Sequence, residues 1–503
     1  MTTANPESPV SRPNIVFISA DQWRFDHLGC MGHPLIKTPH YDALAGLGTL
    51  FERTYSPNPI CIPARATMIT GNYSHKCTGF KGNKGAIRDD QVKLPAWLVQ
   101  HGYATYSAGK LHYLPYAKPG EPRVLHGFQH AQLLESGRIL AQYDPKNELT
   151  GLEDYIDHLA TQGWKGYSRA HGLGNNDPHP APSPLPEALC PDAWVATTAI
   201  DYIKQHQRDN PDAPFFLNVG FPKPHPPFDP PRPWDTMYDP REMPVPAQNR
   251  SGTPRGPQAV VSAIQHGMNY LSPQAIQVMR AHYAGLISFQ DAQVGRIVAA
   301  LKAAGCFDNT VIVCTADHGE MLGDSGLCHK SSMYEGSAHV PLIVVPPGDQ
   351  RRGDRATALA GLQDLMPTVL DLAGVPSPGP LDGISLGPVV RGEAEKVRDS
   401  IVSYSLDAPQ QTAMITDGEW KYIYHEPNGV EELFQLSGDP LEEYNRIDEE
   451  PDRAASMRRA LTTWLRDHHD DQFIGDDGEL VRTEFDVEAN SVFNAARMGW
   501  RWY

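Results

Sequence analysis

Asn14-Ile15-Val16-Phe17-Ile18-Ser19-Ala20-Asp21-Gln22 is a short, nearly continuous apolar run that ends on a carboxylate and an amide. A run of this length without alternation reads as a strand buried on both faces, the kind a parallel sheet needs. Similar runs recur at Tyr103–Ala108, Pro214–Phe221, Thr310–Ala316 and Pro341–Pro346. Between them apolar residues fall at helical spacing, most plainly over Gln274–Ala304. Strands alternating with helices predict an α/β fold, a mixed, largely parallel sheet flanked by helices. In such sheets, sites form beyond the carboxyl ends of the strands. Asp21-Gln22 and Asp317-His318-Gly319 both stand at such ends.

Two polar, Pro-rich stretches, His171–Pro186 and Pro222–Pro257, interrupt the pattern and read as ordered loops framing a site. The α/β pattern covers residues 13–395, and a smaller α+β unit follows over 396–470. There Asp399–Ser405, Thr412–Thr416, Trp420–His425 and Glu432–Leu436 read as antiparallel strands, with an Asp-Gly turn at Asp417-Gly418. Pro451–Asp467 is amphipathic and reads as a helix. Residues 471–503 form a tail with Phe485, Phe493, Trp500, Trp502 and Tyr503. Such a tail packs on its own chain or on another subunit of a dimer or tetramer.

The 503 residues carry a net charge of −17, which argues against a general nucleic-acid or anionic-membrane partner. An anionic substrate then needs a local cluster of Lys, Arg, His or metal. No apolar stretch approaches the roughly 18 residues of a membrane span. Met1–Arg12 lacks the basic and apolar regions of a secretory signal. Seven scattered cysteines and no Cys-x-x-Cys pair fit a reducing cytoplasm. Most of them read as small core residues.

Asp21 with Gln22, and Asp317 with His318, could share one divalent cation. Carboxylate and amide oxygens suit Ca²⁺, Mg²⁺ or Mn²⁺, and the histidine admits Mn²⁺ or Zn²⁺. Taken singly, each aspartate could instead cap a following helix. Cys61 opens a segment with Pro63 in its first turn and Gly71 at its end, which predicts a helix. A helix N-terminus favours an anion, and Arg65 lies one turn on. The plain alternative is a buried thiol ahead of a Pro-started helix. Lys110 and His112 would face the same side if the strand before them continued. His225 lies in an extended Pro-rich loop, and Lys330 follows the Asp317 strand end.

Together these elements resemble the sulfatase family of the alkaline phosphatase superfamily. Cys61-Ile62-Pro63-Ala64-Arg65, running on to Thr70-Gly71, resembles the Cys-x-Pro-x-Arg signature. Asn14–Gln22 with Arg24, Asp26 and Leu28-Gly29-Cys30 resembles the first strand and metal loop. Gly109-Lys110-Leu111-His112 is similar to the Gly-Lys-x-His element, and Lys223-Pro224-His225 to the Lys-Pro-His loop. Thr315–Glu320 and Gly323–Glu335 are similar to the second metal loop and its lysine, and Leu433–Asn445 to the C-terminal domain. The resemblance spans about residues 13 to 466.

It implies an alkaline-phosphatase-like α/β fold and oxidation of Cys61 to formylglycine by a formylglycine-generating enzyme. One hydroxyl of the aldehyde hydrate would attack the sulfur of a small-molecule sulfate ester. The second would let the resulting sulfate hemiacetal eliminate sulfate without attack of water on sulfur. Asp21, Gln22, Asp317 and His318, with position 61, would hold one metal ion, Ca²⁺ by family habit with Mn²⁺ or Mg²⁺ as alternatives. Arg65 would orient the formylglycine, and Lys110 and Lys330 would neutralise the sulfuryl oxygens. His112 would collapse the hemiacetal and His225 would protonate the leaving alcohol. Two positions depart from the usual pattern: Gln22 stands where many relatives have Asp, and Ser325 stands in place of a histidine.

Phosphonate monoester or phosphodiester hydrolases use the same nucleophile, pair Asp with Gln in the first metal loop and carry long C-terminal segments. They are the nearest rival reading. A non-catalytic binding protein on the same scaffold would not need all these side chains intact. An unmodified thiol nucleophile has no reason to sit among hard metal ligands.

Overall fold

The computed structural model describes residues 12–490 apart from 115–117, 145, 147 and 254. β1 (Asn14–Asp21) is buried along its whole length. In chain order there follow β2 (Thr49–Tyr55), β3 (Ala104–Gly109), β4 (His130–Leu133), β5 (Phe215–Pro224), β6 (Thr310–Ala316), β7 (Leu342–Val345) and β8 (Asp354–Gly361). They form one sheet in the order β4-β3-β5-β1-β6-β7-β2-β8. Only β7 runs against its neighbours; the other pairs are parallel.

The five expected strands are the central ones, with ends within a residue or two of the apolar runs except where β5 continues. β2, β4 and β8 carry no such run. β4 and β8 are edge strands, β2 lies next to an edge, and each has residues that reach solvent. β5 runs on through Pro222-Lys223-Pro224, so the second Pro-rich loop begins three residues later than its composition suggests. The two loops pair with each other: the Ala181 amide donates to Phe228 O at 3.1 Å and the Ser183 amide to Pro230 O at 3.0 Å.

Helices cover both faces. The longest, Pro273–Ala303, is capped by the Ser272 hydroxyl, which accepts from the Ala275 amide at 3.2 Å. It packs on the Pro191–Asp209 helix, which lies on β3 and β5. Among the described residues, no helix is long and apolar enough to cross a membrane.

The second sheet is antiparallel, in the order β12-β11-β10-β9, from β9 (Ile401–Ser405), β10 (Thr412–Thr416), β11 (Trp420–His425) and β12 (Val430–Gln435). At its hairpin the Asp417 carboxylate accepts from the amides of Glu419 and Trp420, and Gly418 takes a φ of 88° that glycine tolerates. One face holds Val402, Tyr422 and Leu433 against Leu461 and Leu465 of the Pro451–Asp467 helix. The other holds Ile401, Met414 and Phe434 against Tyr55 and Met333. Lys421 of β11, fully buried, donates at 2.7 Å to both Glu335 and Glu442. Residues 472–485 return along this unit: Phe473 is buried in it, and the Asn428 amide donates to Thr483 O at 2.8 Å. The aromatic residues Phe493, Trp500, Trp502 and Tyr503 lie outside the described residues.

Candidate active site

Asp21 is the last residue of β1, and Asp317 and His318 directly follow β6, its neighbour in the sheet. Neither aspartate caps a helix, since loop follows both strands. Cys61 is the first residue of a helix, Cys61–Thr70, that ends at Gly71 in the left-handed region. These chain segments bring the ligand atoms of Asp21, Cys61, Asp317 and His318 within 4.8 Å of one another, all four residues buried. Cys61 Sγ lies 3.2 Å from His318 Nε2, 3.2 Å from Lys330 Nζ and 3.9 Å from Asp21 Oδ1. Lys330 Nζ also donates to Gln22 Oε1 at 2.8 Å. Gln22 therefore faces the same cluster. Its φ of 69° is strained for a non-glycine residue, and Tyr283 holds its carbonyl at 2.7 Å.

The donor set fits a hard divalent cation. Two carboxylates and an amide oxygen could supply oxygen ligands. His318 Nδ1 donates to Gly319 O at 3.0 Å, which leaves the Nε2 lone pair facing the cluster. Burial pushes the His318 imidazole down to about 3, so the ring is neutral, as a ligand must be. Burial works to raise the Asp317 carboxyl, but Arg65, His318 and Lys110 hold it below the usual range.

Cations surround this cluster. Arg65 Nε donates to Asp317 Oδ2 at 2.7 Å, while its Nη2 is buried without a partner among the described residues. Lys110 Nζ pairs with Asp21 Oδ2. Burial and then the nearby Arg138 depress the Lys110 ammonium far below its usual value.

Lys110 and His112 do not share a strand face, because β3 stops at Gly109. Gly109 has φ 97°, and a Cβ there would stand 2.2 Å from Gly220 O. The chain then turns, and the Glu135 carboxylate accepts from the Leu111 amide at 2.9 Å and the His112 amide at 2.8 Å. His112 is buried, its Nδ1 unpartnered among the described residues. Burial and the fields of Arg138, Lys110, Arg65 and Lys330 push its pKa well down.

His225 follows β5. Its Nδ1 donates to Pro226 O at 2.9 Å, and its Nε2 is buried without a partner among the described residues. Burial, then Lys330, Lys110 and Arg138, push it well down too. Lys223 holds this loop by donating to His225 O at 3.2 Å and Pro227 O at 2.7 Å and by pairing with Asp229. A cavity of about 580 Å³ opens beside His225, lined among others by Ser136, Tyr155, Arg169 and Asp229.

Two contributors carry no motif: Arg138, whose charge reaches Lys110, His112 and His225, and Glu135; a third, Lys223, fastens the loop. Lys223 stood inside the Lys-Pro-His element, where its lysine could have drawn notice. Ser325 has a structural place: its φ is 53° and its Oγ accepts from Arg255 at 2.7 Å. The neighbouring Asp324 is gripped by Arg24 at 2.5 Å and Arg280 at 2.6 Å.

Residues 13–375 match the family model described as Sulfatase, and residues 323–471 the one described as N-sulphoglucosamine sulphohydrolase, C-terminal. An arylsulfatase of Clostridium perfringens is 31% identical over 464 residues, covering 90% of this chain and 94% of its own. A choline-sulfatase of Rhizobium meliloti is 29% identical over 447 residues, covering 86% and 81%. Among solved structures, a phosphonate monoester hydrolase of Agrobacterium radiobacter superposes with a TM-score of 0.75 at 26% identity, covering 94% of this chain and all of that one.

Proposed function

The chain belongs to the sulfatase family and is a sulfuric ester hydrolase, and from that premise we propose that its nucleophile is a formylglycine hydrate made from Cys61. The observation that carries this reading is the setting of Cys61 Sγ, 3.2 Å from both His318 Nε2 and Lys330 Nζ at a helix N-terminus beside two buried carboxylates. Asp21, Gln22, Asp317, His318 and position 61 would hold one divalent cation, Ca²⁺ first among the candidates. Such an ion neutralises charge on the ester and acidifies the attacking hydroxyl.

The remaining steps belong to the chain's own groups. One hydroxyl of the hydrate releases its proton to solvent and attacks sulfur, and the sulfur–oxygen bond to the alcohol breaks. Arg65 Nη2 and the Lys330 ammonium carry the negative charge on the sulfuryl oxygens, joined by Lys110 once the ester's charge offsets the burial and the Arg138 cation that oppose its ammonium form. His225 Nε2 gives the departing alkoxide its proton. With Nδ1 donating to Pro226 O, Nε2 bears a proton only in the imidazolium form. Burial and three cations oppose that form in the ligand-free site, and the charge of the bound ester offsets them. His112 then takes the proton of the second hydroxyl. The carbon–oxygen bond to sulfate breaks, the aldehyde returns, and water hydrates it again.

The cavity beside His225 has the size of a site for a small organic alcohol, such as a sugar, choline or a phenol. Hydrolysis of phosphonate monoesters is the second reading. Gln22 and the likeness to the Agrobacterium hydrolase favour it. The test of the nucleophile is the mass of the tryptic peptide Thr54–Arg65 from protein made in its native host. An aldehyde in place of the thiol supports the proposal; a wholly thiol peptide in fully active protein overturns it. Turnover of a sulfate monoester, a phosphonate monoester and a phosphodiester separates the two readings, and dominant phosphonate hydrolysis would displace the first.

A further inference from the structure

A second cluster of donor side chains lies next to the catalytic one. His266 follows the Pro257–Gln265 helix as its C-cap, and Cys328 and His329 follow the turn that carries Asp324. A ring nitrogen of each histidine and the Cys328 Sγ all lie within 4.8 Å of one another. The two imidazoles meet edge to face with centroids 4.5 Å apart. Cys328 and His329 are buried, at 2% and 7% exposure.

His266 Nδ1 donates to Ser262 O at 2.8 Å, so the neutral ring carries its lone pair on Nε2. His329 Nε2 is buried and has no hydrogen-bond partner among the described residues. An orphaned buried nitrogen is costly and calls for a ligand. On the other side of that ring, Nδ1 stands 3.4 Å from Gln22 Nε2 and 3.9 Å from Glu320 Oε2. Once Nε2 ligates, the ring proton moves to Nδ1, where Glu320 Oε2 at 3.9 Å is the carboxylate that faces it.

Two imidazoles and a thiolate are a different donor set from the oxygen-rich one at Asp21 and Asp317. They select Zn²⁺ or Co²⁺ over Ca²⁺ or Mg²⁺ and leave a fourth tetrahedral position for water or another ligand. We propose that His266, Cys328 and His329 form a second metal site, specific for a zinc-class ion. The ion replaces the Cys328 thiol proton, which passes to solvent. His329 directly precedes Lys330, whose Nζ reaches Cys61 Sγ, so an ion here fastens the Pro257–Gln265 helix to the loop that presents that lysine.

The inference is independent of which ester is hydrolysed. It is tested in the full chain carrying Cys61→Ser, which removes the other cluster's thiol. Metal-free protein in excess Ca²⁺ is titrated with Co²⁺. The expected result is a thiolate-to-cobalt charge-transfer absorption that saturates at one equivalent and is abolished by one equivalent of Zn²⁺. Adding His266→Ala, a half-buried ring at a helix end, removes that absorption, and so does Cys328→Ser. Zn²⁺ raises the melting temperature of the parent and not of the His266→Ala protein. No thiolate–cobalt absorption in the parent, or its persistence after His266→Ala, overturns the proposal, whether or not Cys328→Ser folds.

Discussion

Replacing His225 by Gln tests the proposed proton donation to the leaving group. Nε2 has no partner within the described protein, so no hydrogen bond at that atom is lost. The bond from Nδ1 to Pro226 O is lost, at a net cost of about 1 kcal/mol in stability. The protein therefore stays folded, and a change in rate reports chemistry. A positioned general acid contributes about a hundredfold to ten-thousandfold, roughly 3–5 kcal/mol of barrier. The full loss falls on alcohols that leave poorly as alkoxides. A nitrophenolate leaves without a proton and gains little from the acid. The expected outcome is a drop in kcat/KM of about a thousandfold for an alkyl sulfate and less than about tenfold for nitrophenyl sulfate. The assay is steady-state hydrolysis across a series of esters of graded leaving-group acidity. Equal losses across the series would refute the reasoning and leave His225 with a positioning role alone.

Three further outcomes follow from particular contacts. Lys421→Met strands Glu335 and Glu442 without their shared cation, and chemical denaturation should show a loss of about 3–5 kcal/mol, part of which Glu442→Gln restores. Burial raises the Asp192 carboxyl to about 7 from its usual 3.8. A raised acid contributes stability that is complete below the unfolded value and lost as pH rises through the folded one. Asp192→Asn should thus match the wild type near pH 4 and exceed it by up to about 4 kcal/mol above pH 7; a difference independent of pH in unfolding curves would contradict this. Arg138→Gln removes a cation that acts on Lys110, His112 and His225, so kcat/KM for an anionic ester should fall on the order of tenfold and depend less on added salt. Unchanged values at low and high ionic strength would count against its role.

The sheet was readable where it is buried on both faces. β1, β5 and β6 lie at its middle and announce themselves as apolar runs, whereas β2 carries Glu52 and Arg53 and β4 is mostly polar. Strand ends were informative for the same reason, and Asp21, Asp317 and His318 come together with Cys61 because β1 and β6 are adjacent. Lys110 and His112 were found by motif but for a geometry that does not occur: a glycine turn, not a continuing strand, delivers them. Arg138 and Glu135 left no trace in the sequence, because their effect depends on a turn closing against β3 from residues that share no spacing with it.

His112 and His225 are both fastened through the backbone. Glu135 grips the amides of residues 111 and 112, and Lys223 grips the carbonyls of residues 225 and 227. The side chains themselves contribute little to keeping their own segments in place. Exchanges at these two positions should therefore be cheap for folding while changing what the site can do with a proton. A scaffold built this way can drift between ester chemistries by point substitution, and its evolvability lies in Glu135 and Lys223, which must stay put while their neighbours vary.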